Sequence, residues 1–380
     1  MELMVGVAVC LSTLVWFFGG LMSVVSRSLL GGLLVSFGVA ICLPAHAGPV
    51  RFDGDGHVYH PVFSLDGKFV AYEVNRLTQQ VDLYVSKVNG SIADDGMHVS
   101  LPGGGAFSGG DVVAANPVWH PDGLIVFEGS NQGGQYRLYY QVPGNGTAAE
   151  MITTQEVAGH ITFPAVAQDG TKMALIAKKT GNGDVYTRDT NSGKLAQETD
   201  TNGTESFPTF SPDAKEILFT RKHADTEDVF VKRFSDGMEK MVTGGPGDQS
   251  RPAYAVAGER VLYFDGSRGE SQWDLMSVDN NGGDGKRLGK GVRLPHRARP
   301  AVSKNGEWVA FTSDDPQQGS KISIAKVDGS KTVTIHTEHT ACGEPSLSEN
   351  NGRVILAYTA LPNSGAEWRF LTIVDVTDKL

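Results

Sequence analysis

The chain has 380 residues, 40% of them hydrophobic, with 47 glycines, 17 prolines and a formal net charge of −10 at pH 7. That length is ample for a sizeable core, and the acidic balance argues against nucleic acid as a partner, because phosphate binding needs the opposite sign. Only three cysteines are present, too few for a disulfide framework.

Residues 1–47 read as a leader. Arg27 precedes an apolar stretch from Leu29 to Leu43, which runs into Pro44-Ala45-His46-Ala47. A positive flank, an apolar core and an A-x-A end describe a secretory signal, and cleavage after Ala47 leaves Gly48 as the first mature residue. A second apolar stretch, Leu3 to Val25, lies upstream. Two readings fit it: a true start at Met22, which gives a leader of ordinary length and is the one adopted, or a retained membrane hairpin. Cys10 and Cys42 fall in this leader, so Cys342 alone remains in the mature chain, and Ile41 is not the small residue that lipid-anchor processing prefers. The expected product is a soluble, monomeric periplasmic protein whose residues 48–380 form one domain.

From residue 61 onward a unit repeats. Pro61, Pro117, Pro164, Pro208, Pro252, Pro300 and Pro345 are spaced by 56, 47, 44, 44, 48 and 45 residues. The clearest copies are His60-Pro-Val-Phe-Ser-Leu-Asp-Gly67, Asn116-Pro-Val-Trp-His-Pro-Asp-Gly123 and Phe207-Pro-Thr-Phe-Ser-Pro-Asp-Ala214. Proline lacks a backbone N–H and suits the first residue of a strand, while the Ser-Pro-Asp-Gly type of segment is a hairpin turn. Apolar second strands follow, from Phe69, Leu124, Met173, Ile217, Val261, Trp308 and Val354. Third strands begin near Asp82, Tyr136, Asp184, Asp228, Trp273, Lys321 and Trp368. A strand-built period of roughly 40 to 50 residues marks a β-propeller. The expected fold is therefore all-β, a seven-bladed propeller of four-stranded blades. The last unit lacks a fourth strand, and Pro49-Val-Arg-Phe52 is expected to supply it and close the ring. The fifth turn has decayed to Ala255-Val-Ala-Gly258.

Candidate functional residues sit in the loops ahead of the prolines. Arg251, Arg293, His296, Arg297 and Arg299 are expected to gather at one mouth of the channel, where they would take an acidic ligand or partner loop. His336, Glu338, His339 and Cys342 are donors that a zinc-like ion could use, although their spacing matches no metal signature. No other cofactor is indicated, and no G-x-S-x-G, H-E-x-x-H or phosphate-binding loop occurs. Asp66, Asp122, Asp169 and Asp213 share one turn slot and read as turn chemistry. Trp119, Trp273, Trp308 and Trp368 lie on strands and read as core.

The X-Pro start, the Ser-Pro-Asp-Gly turn, the apolar strand and the Asp-x-aromatic strand together resemble the propeller repeats of the TolB family, shared with the propeller domains of prolyl oligopeptidases. The resemblance spans Pro49 to about Thr377. It implies a periplasmic, non-enzymatic scaffold in the cell envelope that binds a protein or peptide through a propeller mouth. TolB carries an α/β domain ahead of its propeller, whereas here the leader runs straight into the repeats, and the hydrolase domain of the peptidases has no counterpart. Oligogalacturonate lyases are similar propellers that use channel histidines with a metal. The alternative function is accordingly a metal-assisted lyase or hydrolase acting on acidic polysaccharide, drawing on His60, His160, His296 or His339.

Overall fold

The computed structural model describes residue 50 and residues 55–380, apart from 77–79, 90–91, 102–111, 131–133, 153–156, 158, 179–181, 268, 270–272, 296, 318 and 364. The leader, its cleavage position and the segment at 49–52 other than Val50 lie outside the described residues.

The described chain is built of strands, with two 3-10 turns at Val256–Gly258 and Thr377–Lys379. Each repeat opens on an inner strand: His57–Phe63, Val113–Trp119, Ile161–Val166, Thr204–Phe210, Gln249–Ala255, Ala301–Val302 and Thr340–Asn350. Antiparallel second strands follow at Phe69–Asn75, Ile125–Ser130, Lys172–Ala177, Glu216–His223, Arg260–Asp265, Trp308–Asp315 and Arg353–Leu361. Third strands come next, from Val81–Asn89 in the first repeat to Phe370–Asp375 in the seventh. Repeats three and four each form a four-stranded sheet in chain order. Single bridges, Val81 with Val113 and Val292 with Ser313, join repeats one and two into a nine-stranded sheet and five and six into an eight-stranded one. The seventh repeat has three strands among the described residues.

The second strands are apolar because neighbouring sheets cover both faces. All six residues of Ile125–Ser130 are buried. Each core cluster spans two repeats: Phe127 packs with Ala71 and Leu83, and Phe219 with Leu175's neighbours Ala174 and Ile176. Burying one such phenylalanine stabilises by about 1.5–3 kcal/mol. The first and seventh repeats share a cluster too, joining Val58, Val70 and Tyr72 to Ile355, Leu371 and Ile373. In the same region Val50 N–H donates to Leu371 O at 3.1 Å.

The turns carry the chemistry their sequence implies. Ser64 Oγ donates to Asp66 Oδ1 at 2.7 Å, and that oxygen also accepts from Lys68 N–H. Ser211 and Asp213 repeat the arrangement, as do Ser303 and Asn305. Trp119 and Trp308 are buried, the former donating Nε1–H to Val62 O at 2.9 Å.

The prolines stand elsewhere than expected. In six repeats the inner strand begins ahead of the proline, which lies within it, and only Pro300 precedes its strand. Register shifts at this point, between Tyr59 and Val62, Ala115 and Val118, Thr162 and Ala165, Ser206 and Thr209, and Ser250 and Ala253. The proline thus sits at a β-bulge, where the ladder is interrupted and its missing N–H is not required.

Candidate binding site at the strand bulges

The bulges build the site. The residue before proline has a left-handed backbone in six repeats: His60, Asn116, Phe163, Phe207, Arg251 and Glu344, with φ between 47 and 58°. In the sixth repeat the left-handed residue is Arg297, three positions ahead of Pro300. Such conformations cost side-chain-bearing residues about 1–3 kcal/mol and persist where the surroundings hold them. Here the bulge turns its amide toward the preceding repeat. Asn116 N–H donates to Glu73 Oε1 at 2.6 Å, Phe163 N–H to Glu128 Oε1 at 2.6 Å, and Arg251 N–H to Thr220 Oγ1 at 2.9 Å. His60 N–H donates to Glu344 Oε2 at 2.5 Å, which links the seventh repeat to the first.

These contacts continue through side chains. His60 Nδ1 lies 3.0 Å from Glu73 Oε1, and Asn116 Nδ2 donates to Glu128 Oε1 at 2.7 Å. Arg297 Nη2 then donates to Glu128 Oε2 at 2.7 Å. Glu73 and Glu128 are buried carboxylates within otherwise apolar second strands. Burial pushes the Glu128 carboxyl above the ordinary carboxylate range, against the pull of Arg297, Asn116 and the Phe163 amide.

Three of the five residues expected at the mouth come together. Arg251, Arg297 and Arg299 converge on two touching rings, Phe163 and Phe207, whose centroids are 4.6 Å apart. The Arg297 guanidinium lies 5.1 Å from the Phe163 centroid, and those of Arg251 and Arg299 lie 4.9 and 6.0 Å from that of Phe207. Arg251 Nη1 donates to Pro295 O and Ala298 O, tying down the segment that carries the other two. Arg299 Nη2 donates to Pro208 O at 2.7 Å. Arg293 stands apart from these three at the cavity's edge: it is exposed, with Nε 2.6 Å from Asp314 Oδ1. His296 lies outside the described residues.

The other candidate set does not converge. His339 Nδ1 lies 2.9 Å from Tyr358 Oη, and the buried Cys342 Sγ faces Thr337 Oγ1 at 3.3 Å. Burial pushes the Cys342 thiol up. Among the described residues no group of three or more His, Cys, Asp or Glu side chains is placed to hold a metal ion.

Beside the arginines lies a cavity of about 430 Å³, walled by the inner strands of repeats one, two, six and seven. Its walls mix apolar residues, among them Val62, Pro117, Phe311 and Leu347, with polar and charged ones that include His60 and Arg299. Sequence reasoning missed Glu73, Glu128 and Asn116. A lone Glu inside each apolar run, Ala71-Tyr-Glu73-Val and Val126-Phe-Glu128-Gly, is the signal that points to them.

Residues 152–351 match the TolB beta propeller domain family. The chain belongs to the TolB beta-propeller family. No curated protein matches it. Among solved structures, TolB from Acinetobacter baumannii is similar at 20% identity and a TM-score of 0.53, over 77% of this chain and 67% of that one. An oligogalacturonate lyase in complex with manganese is similar at 12% identity and a TM-score of 0.59, over 84% of this chain and 89% of that one. A prolyl endopeptidase aligns at 12% identity and a TM-score of 0.57, over 84% of this chain and 50% of the other. These likenesses establish a TolB-like propeller fold, which binders, lyases and peptidases share.

Proposed function

We propose that this TolB-family propeller is an exported, periplasmic binding scaffold that takes an extended protein or peptide segment into the cavity beside its inner strands. The observation that carries the reading is that cavity: its volume of about 430 Å³ lies in the range of small-ligand sites, and its walls combine apolar surface with polar and charged groups. The ring is proposed as seven blades closed by the strand at 49–52. The Val50 to Leu371 bond, the His60 to Glu344 bond and the core shared by the first and seventh repeats support closure. Export rests on the leader at 1–47.

The test is capture from a cell-envelope extract by wild-type protein and by Ala301→Trp and Ala298→Trp, which fill the cavity. A partner held by the wild type and lost from both variants at unchanged thermal midpoint is the expected result. Equal capture by all three moves the binding surface elsewhere.

The second reading is a lyase acting on acidic polysaccharide, favoured by the fold similarity to oligogalacturonate lyase and by His60, with its Glu73 contact, on the cavity wall. That reading requires release of unsaturated uronides, detected by ultraviolet absorbance, from pectate with added manganese. Absence of that signal returns the assignment to the scaffold.

A further inference from the structure

The cavity is electropositive in an acidic chain. Its lining includes Arg293, Arg299, Lys304 and Arg369 against the carboxylates Glu344 and Glu349, while the whole chain carries −10. Both carboxylates have donors: Glu344 accepts from the His60 amide, and Glu349 Oε1 accepts from Asn305 Nδ2 at 3.1 Å. Arg293 has Asp314.

Arg299 differs from these. It lines the cavity, its Nε is buried with no hydrogen-bond partner, and its Nη2 reaches only the Pro208 carbonyl. Arg251 beside it also has a buried, unpartnered Nε and bonds two carbonyls rather than a carboxylate. Desolvation pushes both guanidinium groups down to about 10; Arg297 adds to the fall at Arg251 and Arg251 to that at Arg299, while Glu227 and Glu344 pull the first back up and Glu128 the second. Two buried cations that hydrogen-bond carbonyls and no carboxylate leave part of their desolvation cost uncompensated. An anion entering the cavity would supply the missing half of the pair through a charge-assisted contact that the guanidinium fork suits.

The walls favour a peptide as the carrier of that anion. Five prolines line the cavity together with Val62, Leu294 and Leu347, a rigid apolar surface suited to an extended chain; Tyr59, Phe63, Phe264 and Phe311 also contribute rings, and no tryptophan lines it among the described residues. We propose that Arg299 is the anchor for a carboxylate of an acidic peptide lying in this cavity, with Arg251 strengthening the positive potential behind it. The inference rests on the scaffold reading above and specifies the ligand chemistry of that site.

The experiment probes the purified full-length protein against random synthetic hexapeptides, one set with free C-termini and one set amidated. Bound peptides are expected to be enriched in Asp or Glu in both sets if a side chain supplies the carboxylate, and to be confined to the free set if the terminus does. Arg299→Gln should weaken the best peptide at least tenfold while keeping or raising the thermal midpoint, since it removes a buried charge; a merely structural arginine would lower it. If Arg299→Gln does not fold, Arg299→Lys carries the test, with affinity cut at least threefold by loss of the fork. Binding of peptides with no acidic enrichment, or acidic binding unchanged in the variant that folds, overturns the anchor and leaves the scaffold standing. Binding of trigalacturonate with no peptide bound overturns the peptide class and the scaffold reading together.

Discussion

Arg297 and Glu128 are 169 positions apart in the chain, and their side chains meet at 2.7 Å between Nη2 and Oε2. The pair joins the loop ahead of the sixth repeat to the second strand of the second, on the side where the bulges lie. Glu128 is fully enclosed and takes two further donors, Asn116 Nδ2 and the Phe163 amide. Glu128→Ala leaves all three donors without an acceptor, and an expected loss of about 3–5 kcal/mol follows from breaking a buried pair. Arg297→Ala should cost less, because the carboxylate keeps two donors. A urea double-mutant cycle checks this: coupling below about 0.5 kcal/mol would mean that the contact does not organise the mouth. The same geometry makes Arg297→Glu a poor probe of binding, since it sets a second carboxylate against a buried one.

Much of this fold was legible from spacing alone. Seven prolines marked the repeats, and the turn aspartates Asp66, Asp122, Asp169 and Asp213 marked where the second strands of the first four begin, because both are local backbone requirements. The bulge was not legible: whether proline opens a strand or interrupts one depends on cross-strand register, and the left-handed Phe163 and Phe207 carry no residue-type signature. Arg251, Arg297 and Arg299 were found as a charge cluster, but the partner of Arg297 comes from a strand 169 residues away, beyond any local pattern. The loop with His336 and Cys342 read as a donor cluster because sequence proximity hides direction. In the fold Cys342 points inward and His339 turns to Tyr358.

The fifth turn, short of the usual Asp-Gly, still bends left-handed. Ala257 has φ 51° and is exposed, and Ala214 occupies the turn of the fourth repeat at φ 55° with its methyl buried. The residues equivalent to Ala214 are Gly67, Gly123 and Gly170 in repeats one to three and Gly258 in the fifth, where Ala257 ahead of it adds a second left-handed position. The left-handed region costs an alanine roughly 1–2 kcal/mol, and glycine returns part of that as unfolded-chain entropy. Ala257→Gly should therefore stabilise by about 0.5–1 kcal/mol, and Ala214→Gly by less because packing is lost. Urea midpoints at constant m-value read the difference, and a destabilising Ala257→Gly would contradict this account of the turn.

The turn aspartates set an acid limit. Hydrogen bonds from Ser211 and Lys215 hold Asp213 down to about 2, and Asp66 and Asp169 are lowered by equivalent bonds. A carboxylate whose folded value lies below its unfolded value stabilises the fold fully above the unfolded value, and that stabilisation fades as pH falls toward the folded one. The stability advantage of wild type over Asp213→Asn should thus be constant above pH 5 and shrink between about pH 4 and pH 2. Urea unfolding of both proteins at pH 6, 4 and 2.5 follows it. An advantage that grows on acidification would reverse the assigned sign.

Cys342 supplies a reporter of local opening. Its side chain is buried in the core cluster with Leu356 and Tyr358, and Sγ lies 3.3 Å from Thr337 Oγ1. Burial raises the thiol above its ordinary value, so the reactive thiolate is scarce as well as inaccessible. Alkylation by iodoacetamide at pH 8 should be at least a hundredfold slower in the native protein than in denaturing urea, with Cys342 located by mass spectrometry to separate it from any leader cysteine. Zinc added before the reagent should leave the native rate unchanged, because His339 is held by Tyr358 and Cys342 faces inward. A native rate that falls further on adding zinc, together with about one bound metal per chain, would instead show that the loop from His336 to Cys342 can rearrange around an ion.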